Sequence, residues 1–157
     1  MKNIQPFTQF DKEWALVTAG NLEKYNTMTI SWGGLGTLWS RPVSTVYVKP
    51  CRYTYQFMEE NEFFTVTFFS DEYKKDLGIL GSKSGRDGDK VALTNLHPIG
   101  IEDDSVGFKE ASLTLFCRKI YWNDLDLNQI PDEFKKRYYE TEAPHRMYIG
   151  EVIDIIE

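Results

Sequence analysis

Cysteine and histidine are scarce in this chain of 157 residues. There are two of each, Cys51 and Cys117, His97 and His145, with no CxxC and no pair at zinc-ligand spacing. Neither a disulfide framework nor a zinc site is therefore expected. Asp124, Asp126 and Asn128 begin as a calcium loop does, but Gln129 stands where that loop needs glycine and Lys135 where it needs the closing glutamate. No metal is expected. Clustered positive charge is also missing: 18 Lys and Arg face 24 Asp and Glu, a net charge of −6. A phosphate-backbone footprint is absent, so nucleic acid is not an expected partner. No stretch approaches the ~18 continuous apolar residues of a spanning helix. Met1 to Trp14 has no apolar h-region, so neither a membrane role nor a signal peptide is expected, and the cytoplasm is the expected location. There is no G-x-S-x-G elbow, no Walker spacing, and Gly33-Gly34-Leu35-Gly36 is not G-x-G-x-x-G. No catalytic side-chain constellation is expected.

What the chain does have is core-forming material, with 41% hydrophobic residues and 15% aromatics. At this length roughly 68–70% of the unfolded surface is buried on folding, and one domain over 1–157 is expected. Strands are predicted at Leu16 to Gly20, Thr27 to Trp32, Val43 to Val48, Phe63 to Phe69, Ser112 to Tyr121 and Met147 to Ile156, which are rich in β-branched and aromatic residues. Gly20-Asn21 and Gly33-Gly34 read as turns. Short helices are predicted at Arg52 to Glu60, at Asp71 to Leu80 with Ser70 as N-cap and Gly81 as stop, and at Asp132 to Tyr139 after Pro131. Gly81 to Lys90 reads as a loop. Six or more closely spaced strands with few helices predict a mainly β fold, a closed or split barrel. Phe63 to Phe69 would be a hazard as an exposed edge, so closure or dimerisation should hide it.

Three segments carry chemistry. Gly81 to Lys90 sets Ser82 and Ser84 beside Lys83, Arg86 and Lys90 on glycine-rich backbone, which suits an anion, although such loops are also plain solvated turns. Lys49-Pro50-Cys51-Arg52-Tyr53-Thr54 lies where a strand gives way to a helix, a geometry that aims backbone N–H groups at an anion; the alternative is a simple N-terminal turn with surface cations. Asn26 to Trp32 alternates polar side chains with bulky apolar ones, either a half-solvated strand or a polar row for a flat heterocycle. His145 lies in a loop before the last strand, where a surface or structural role competes with a ligand contact. Cys51, between Lys49 and Arg52, is either a thiol of lowered pKa or a small packing residue.

In order and spacing, Asn26-x-Met28-Thr29-Ile30-Ser31-Trp32-Gly33, Pro50-x-Arg52-Tyr53-Thr54, Ser84-Gly85-Arg86-Asp87-x-Asp89-Lys90, Glu110-Ala111 and His145-x-x-Tyr148-Ile149-Gly150-Glu151 resemble the flavin reductase-like, FMN-binding split-barrel family that includes flavoredoxin. The resemblance spans nearly the whole chain. It implies a Greek-key split β-barrel with a few short helices, a homodimer, and one FMN per subunit. Members use NADH or NADPH to reduce flavin, or carry electrons between proteins. Carried over by position, Asn26, Thr27, Met28, Thr29, Ser31 and Trp32 would line the isoalloxazine and ribityl chain. Lys49, Pro50, Cys51, Arg52, Tyr53 and Thr54 would hold phosphate and ribityl oxygens. Ser82, Ser84, Gly85, Arg86, Asp87 and Lys90 would close the site, with Lys90 either there or at the flavin's N1–C2=O pole. Asp87 and Asp89 are expected to hold the loop by pairing with Arg86 or Lys90. Cys51 stands where the family often has serine. The expected function is an NAD(P)H-dependent flavin oxidoreductase, with a flavoredoxin-like electron carrier as the alternative; the flavin itself would carry the hydride chemistry.

Overall fold

The computed structural model describes residues 5–102 and 104–157; the first four residues of the Met1 to Trp14 stretch lie outside them. A four-residue helix α1 (Pro6–Gln9) precedes β1 (Ala15–Gly20), β2 (Tyr25–Ile30), β3 (Gly33–Leu38) and β4 (Arg41–Val48). Helix α2 (Tyr53–Glu60), strand β5 (Phe63–Phe68) and helix α3 (Lys74–Ser82) follow. Then come the hairpin β6 (Pro98–Ile101) and β7 (Ser105–Phe108), β8 (Leu113–Asp124), α4 (Asp132–Tyr138) and β9 (Arg146–Ile156).

Seven strands form one antiparallel sheet in the order β2-β1-β5-β8-β9-β4-β3. Its two edges are consecutive in sequence, joined only by Ser31-Trp32. Drawn flat, strands at this spacing would set the edges roughly 28 Å apart, whereas three Cα steps reach at most about 11 Å. The sheet must therefore curl until β2 and β3 meet without pairing, which is the split of a split barrel. Phe63 to Phe68 is no edge at all. It sits in the middle of the sheet between β1 and β8.

Alternation along β1 fills two cores. Ala15, Val17 and Ala19 join the barrel interior with Val46, Val66, Phe68, Leu115, Cys117 and Tyr148. Leu16, on the opposite face, packs under α3 with Leu77, Leu80, Val91 and Phe108. Every residue of β1 is buried because both faces are covered.

Several local expectations need correction. Gly33-Gly34 is not a turn but the start of β3, paired with Thr45 and Val46 of β4; the turn is Trp39-Ser40, both at positive φ. Gly81 does not stop α3, which runs on to Ser82. A Cβ there would lie 3.2 Å from Cβ of Thr29, so this glycine lets the helix settle on β2. Ser70 gives its hydroxyl to Glu72 (2.9 Å) rather than capping, and the segment enters α3 through a 3-10 turn, Asp71–Tyr73. The hairpin β6–β7 was not anticipated. Among the described residues no helix is long and apolar enough to cross a membrane, and no group of three acidic, His or Cys side chains is placed to hold a metal ion.

Candidate functional site

Strand β4 ends at Val48, and the chain turns through Lys49-Pro50-Cys51 to Arg52, the extended residue before α2. No side chain caps α2, so its first backbone N–H groups and the positive end of its dipole are open to a ligand. Thr54, in the first turn, is held by Nδ2 of Asn26 (2.7 Å). That bond ties α2 to β2. As an edge strand, β2 also has backbone groups facing away from β1 with no partner strand.

The end of α3 and the segment after it form the facing wall. Lys90 is buried, and its Nζ donates to the carbonyls of Leu80 (2.9 Å) and Lys83 (3.1 Å). It thereby satisfies the helix's last carbonyls where the dipole is negative. Gly85 is seated tightly, since a Cβ there would fall 2.1 Å from Oδ1 of Asn26 and 3.0 Å from the Tyr53 ring. Ser84 Oγ accepts from the Arg86 backbone N–H (3.2 Å), and the Arg86 guanidinium lies over the Tyr53 ring at 5.3 Å while donating to the Cys51 carbonyl (3.0 Å).

Between these walls is a cleft of about 240 Å³. Asn26, Met28, Thr29, Arg52, Tyr53, Thr54, Ser82, Ser84, Gly85, Arg86 and Lys90 line it, with Leu80, Gly81 and Lys83. Four of these residues are cationic and none is acidic, in a chain of net charge −6. The cations crowd one another: burial first, and then Arg52, lower the Lys90 pKa to about 8. An ammonium in that state is stabilised by an arriving anion.

A second cleft of about 300 Å³ shares Met28, Thr29 and Arg52 with the first. It adds Ser31, Trp32 and Lys49, and also Ile30, Tyr47, Tyr138 and His145. Trp32 meets Tyr138 edge-on at 5.0 Å and the His145 ring at 5.4 Å. Burial, then Lys49 and Arg52, push the His145 pKa down to about 4, so its imidazole is neutral at physiological pH. Lys49 is engaged, donating to Glu142 (2.6 Å) and to the Tyr138 carbonyl (2.9 Å).

The remaining candidates line neither cleft. Thr27 turns away, its hydroxyl 2.7 Å from that of Thr18. Cys51 contributes its carbonyl to Arg86 with its side chain exposed, while Pro50 and Asp87 stand outside. The acid pairs expected in the loop are not formed: among the described residues neither Asp87 nor Asp89 makes a salt bridge. Asp89 instead accepts from the Ala92 backbone (3.2 Å), because Lys90 is drawn to helix carbonyls and Arg86 to Tyr53 and Cys51. Tyr47 and Tyr138 escaped sequence reading. They are aromatic residues on β4 and α4 that only the folded chain brings to one cleft, Tyr138 against Trp32 and Tyr47 against His145.

The sequence model of the flavin reductase like domain matches residues 7–157. The chain belongs to the flavin reductase-like domain family. No curated protein matches it. Among solved structures, this flavin reductase-like chain is similar to flavoredoxin from Methanosarcina acetivorans, with a TM-score of 0.72 at 22% identity over 100% of this chain and 73% of that one. An FMN-binding protein from Thermus thermophilus gives 0.72 at 19% identity, covering 100% and 79%. An NADH:FAD oxidoreductase of Streptomyces globisporus gives 0.70 at 16% identity, covering 92% and 75%. At these identities the likeness establishes the fold, a mostly antiparallel split barrel with a few short helices.

Proposed function

We propose that the protein binds FMN and serves as an NAD(P)H-dependent flavin oxidoreductase. The observation that carries this reading is the first cleft, where Arg52, Lys83, Arg86 and Lys90 gather without a carboxylate at the uncapped start of α2. A phosphate dianion fits that charge and those donors. Gly85, whose Cβ position is already filled by Asn26, brings loop backbone close to the same space. In this reading Arg52, Arg86 and Ser84 hold the phosphate, and Asn26, Thr29 and Thr54 face the ribityl chain. Met28, Ser31 and Trp32 border the ring. Lys90 spends two of its three N–H donors on carbonyls, leaving the third for the ligand.

Bound there, the flavin supplies the two-electron chemistry, taking hydride from NADH or NADPH. The chain's own residues bind, orient and charge-compensate, which accounts for the lack of a nucleophile and base in the sequence. The neutral second cleft wall of Trp32, Tyr138 and His145 is the natural approach for a reductant. Two subunits per molecule form part of the proposal, and light scattering on the eluting peak checks this.

The deciding experiment is an anaerobic visible spectrum of FMN-loaded protein during NADH and then NADPH addition. Rapid bleaching with turnover on reoxidation is expected. A flavin that binds but stays oxidised would assign the carrier role that flavoredoxin's name denotes, and a colourless protein that FMN cannot reconstitute would overturn the reading.

A further inference from the structure

Between β8 and β9 the chain leaves the sheet at Leu125 and returns to it at His145. The neck of this excursion is pinned. The Leu125 N–H donates to the His145 carbonyl (3.0 Å), and beside it Arg146 grips both oxygens of Asp124. Beyond the neck every residue is exposed or half-buried, those of α4 included. A segment that neither owns a core nor shares the barrel's is held by few contacts, and such segments open at the least cost in free energy.

The contacts that do hold it gather at the end of α4. Lys49, in the turn between β4 and α2, donates to the Tyr138 carbonyl (2.9 Å) and to Glu142 (2.6 Å), and its ammonium lies 5.4 Å from the centre of the Tyr139 ring. The Tyr139 hydroxyl is 2.7 Å from Nδ1 of His145. Tyr138 meets Trp32 edge-on at 5.0 Å with the planes at 83°. Rings this close are in direct contact, so no third ring enters between them. The second cleft is thus partly filled by the chain's own Tyr138, whereas the first is lined from other parts of the chain entirely.

We propose that Leu125 to His145 is a lid over the second cleft, latched at the end of α4 by Lys49, and that the reductant gains access when the lid swings on its neck and carries Tyr138 off Trp32. The gating role rests on the flavin reading; the hinged motion does not. Opening must break the two hydrogen bonds of Lys49, the Tyr139–His145 bond and one ring pair. Glu142 is solvent-exposed, so water takes over its bond to Lys49 at little cost. The phosphate end of the first cleft lies outside the moving part, and the flavin stays bound while the lid is open.

Fluorine NMR of protein carrying 5-fluorotryptophan tests the lid without any flavin. Trp32→Phe assigns the Trp32 resonance, and Tyr138→Ala gives its position when uncovered. The native resonance is expected to be broadened by exchange on the microsecond-to-millisecond scale of lid motions. Glu142→Gln should move it toward the uncovered position as the open-to-closed ratio rises about two- to fivefold. Lys49→Met, which loses both hydrogen bonds, should move it further. Asp132→Asn breaks a bridge to Lys135 internal to the lid and should leave it in place. In FMN-loaded protein, the rate of bleaching by limiting NADH or NADPH should rise about two- to fivefold in Glu142→Gln, with FMN affinity unchanged within about twofold. A Trp32 resonance that Tyr138→Ala moves, but that neither Glu142→Gln nor Lys49→Met does, would overturn the lid. A shifted resonance with no change in bleaching rate would overturn the gate. Failure to bind FMN would overturn the flavin reading alone, and the fluorine shifts would still be seen.

Discussion

Helix α2 has a cluster of cations at each end, and the two clusters are wired in opposite ways. At its C-terminal end, Arg146 places Nε and Nη2 on the two oxygens of Asp124 (2.8 and 3.0 Å) and Nη1 on Glu59 (3.0 Å), with its guanidinium 3.7 Å from the centre of the Trp122 ring. Tyr148 donates to the same Glu59 (2.5 Å), and Lys119 donates to the carbonyls of Met58 and Glu59. Arg146, Asp124, Glu59 and Lys119 each have a partner there. At the N-terminal end, Arg52, Lys83, Arg86 and Lys90 share a cleft with no acid. The first cluster is architecture, because paired charges hold α2 against β8 and β9. The second leaves electrostatic energy unspent, and an incoming anion is what relieves it.

Removing Arg146 should break the comparison most severely on the structural side. Arg146→Ala leaves Asp124 and Glu59 facing each other without their shared cation, and the Trp122 face uncovered. A loss of about 2–3 kcal/mol of folding stability is expected, discounted for the partial exposure of both acids. Urea denaturation reads it. Arg86→Ala, by contrast, should change stability by no more than about 0.5 kcal/mol. A cleft variant that unfolds as readily as Arg146→Ala would erase the distinction between the two ends.

The next largest effect belongs to the cleft. Arg52→Ala and Arg86→Ala should each weaken FMN by about ten- to hundredfold, the contribution of a charged hydrogen bond to phosphate, and leave riboflavin nearly unchanged. Fluorescence quenching of the two flavins makes the measurement. Equal losses for both would remove phosphate from this end of α2.

Lys90 sharpens the comparison through pH. Its folded pKa of about 8 lies below the ordinary lysine value of 10.5, so between those limits the unfolded chain binds more protons than the folded one. Stability should therefore rise as pH increases from about 8 to about 10.5, and the rise should vanish in Lys90→Met. FMN affinity should move the other way. Above pH 8 the free protein loses the ammonium that favours the dianion, so FMN weakens while riboflavin does not. Parallel pH profiles for the two ligands would contradict the assignment.

The barrel was legible in the sequence where strands advertise themselves. β1, β4, β5, β8 and β9 are β-branched and aromatic, and their faces alternate. Gly33 to Leu38 was not legible, because glycine says turn locally, and only pairing along β4 makes it a strand. Gly81 misled for a related reason, serving close packing on Thr29 rather than termination. In the clefts, residues contiguous in sequence come together as segments, with Asn26 to Trp32, Lys49 to Thr54 and Ser82 to Lys90 each contributing lining residues. Tyr47 and Tyr138 could not be read that way, since β4 and α4 bring them to the cleft from distant parts of the chain, one against His145 and the other against Trp32. Which cation is committed was also invisible. Lys49 and Arg52 look alike in sequence, yet one is bound to Glu142 and the other faces both clefts.

The smallest expected effect tests the absence of acid from the cleft at the start of α2. Asp87 follows Arg86 in the glycine-rich segment but lines neither cleft and pairs with no cation in the described structure. An acid lodged beside a phosphate would oppose binding, so neutralising it would tighten FMN markedly. An acid in solvent acts only through screened, long-range repulsion. Asp87→Asn should therefore improve FMN affinity by no more than about twofold, and the gain should disappear at high salt. A tenfold gain persisting in salt would place the carboxylate in the cleft, and the all-cation wall that sets the two ends of α2 apart would no longer stand.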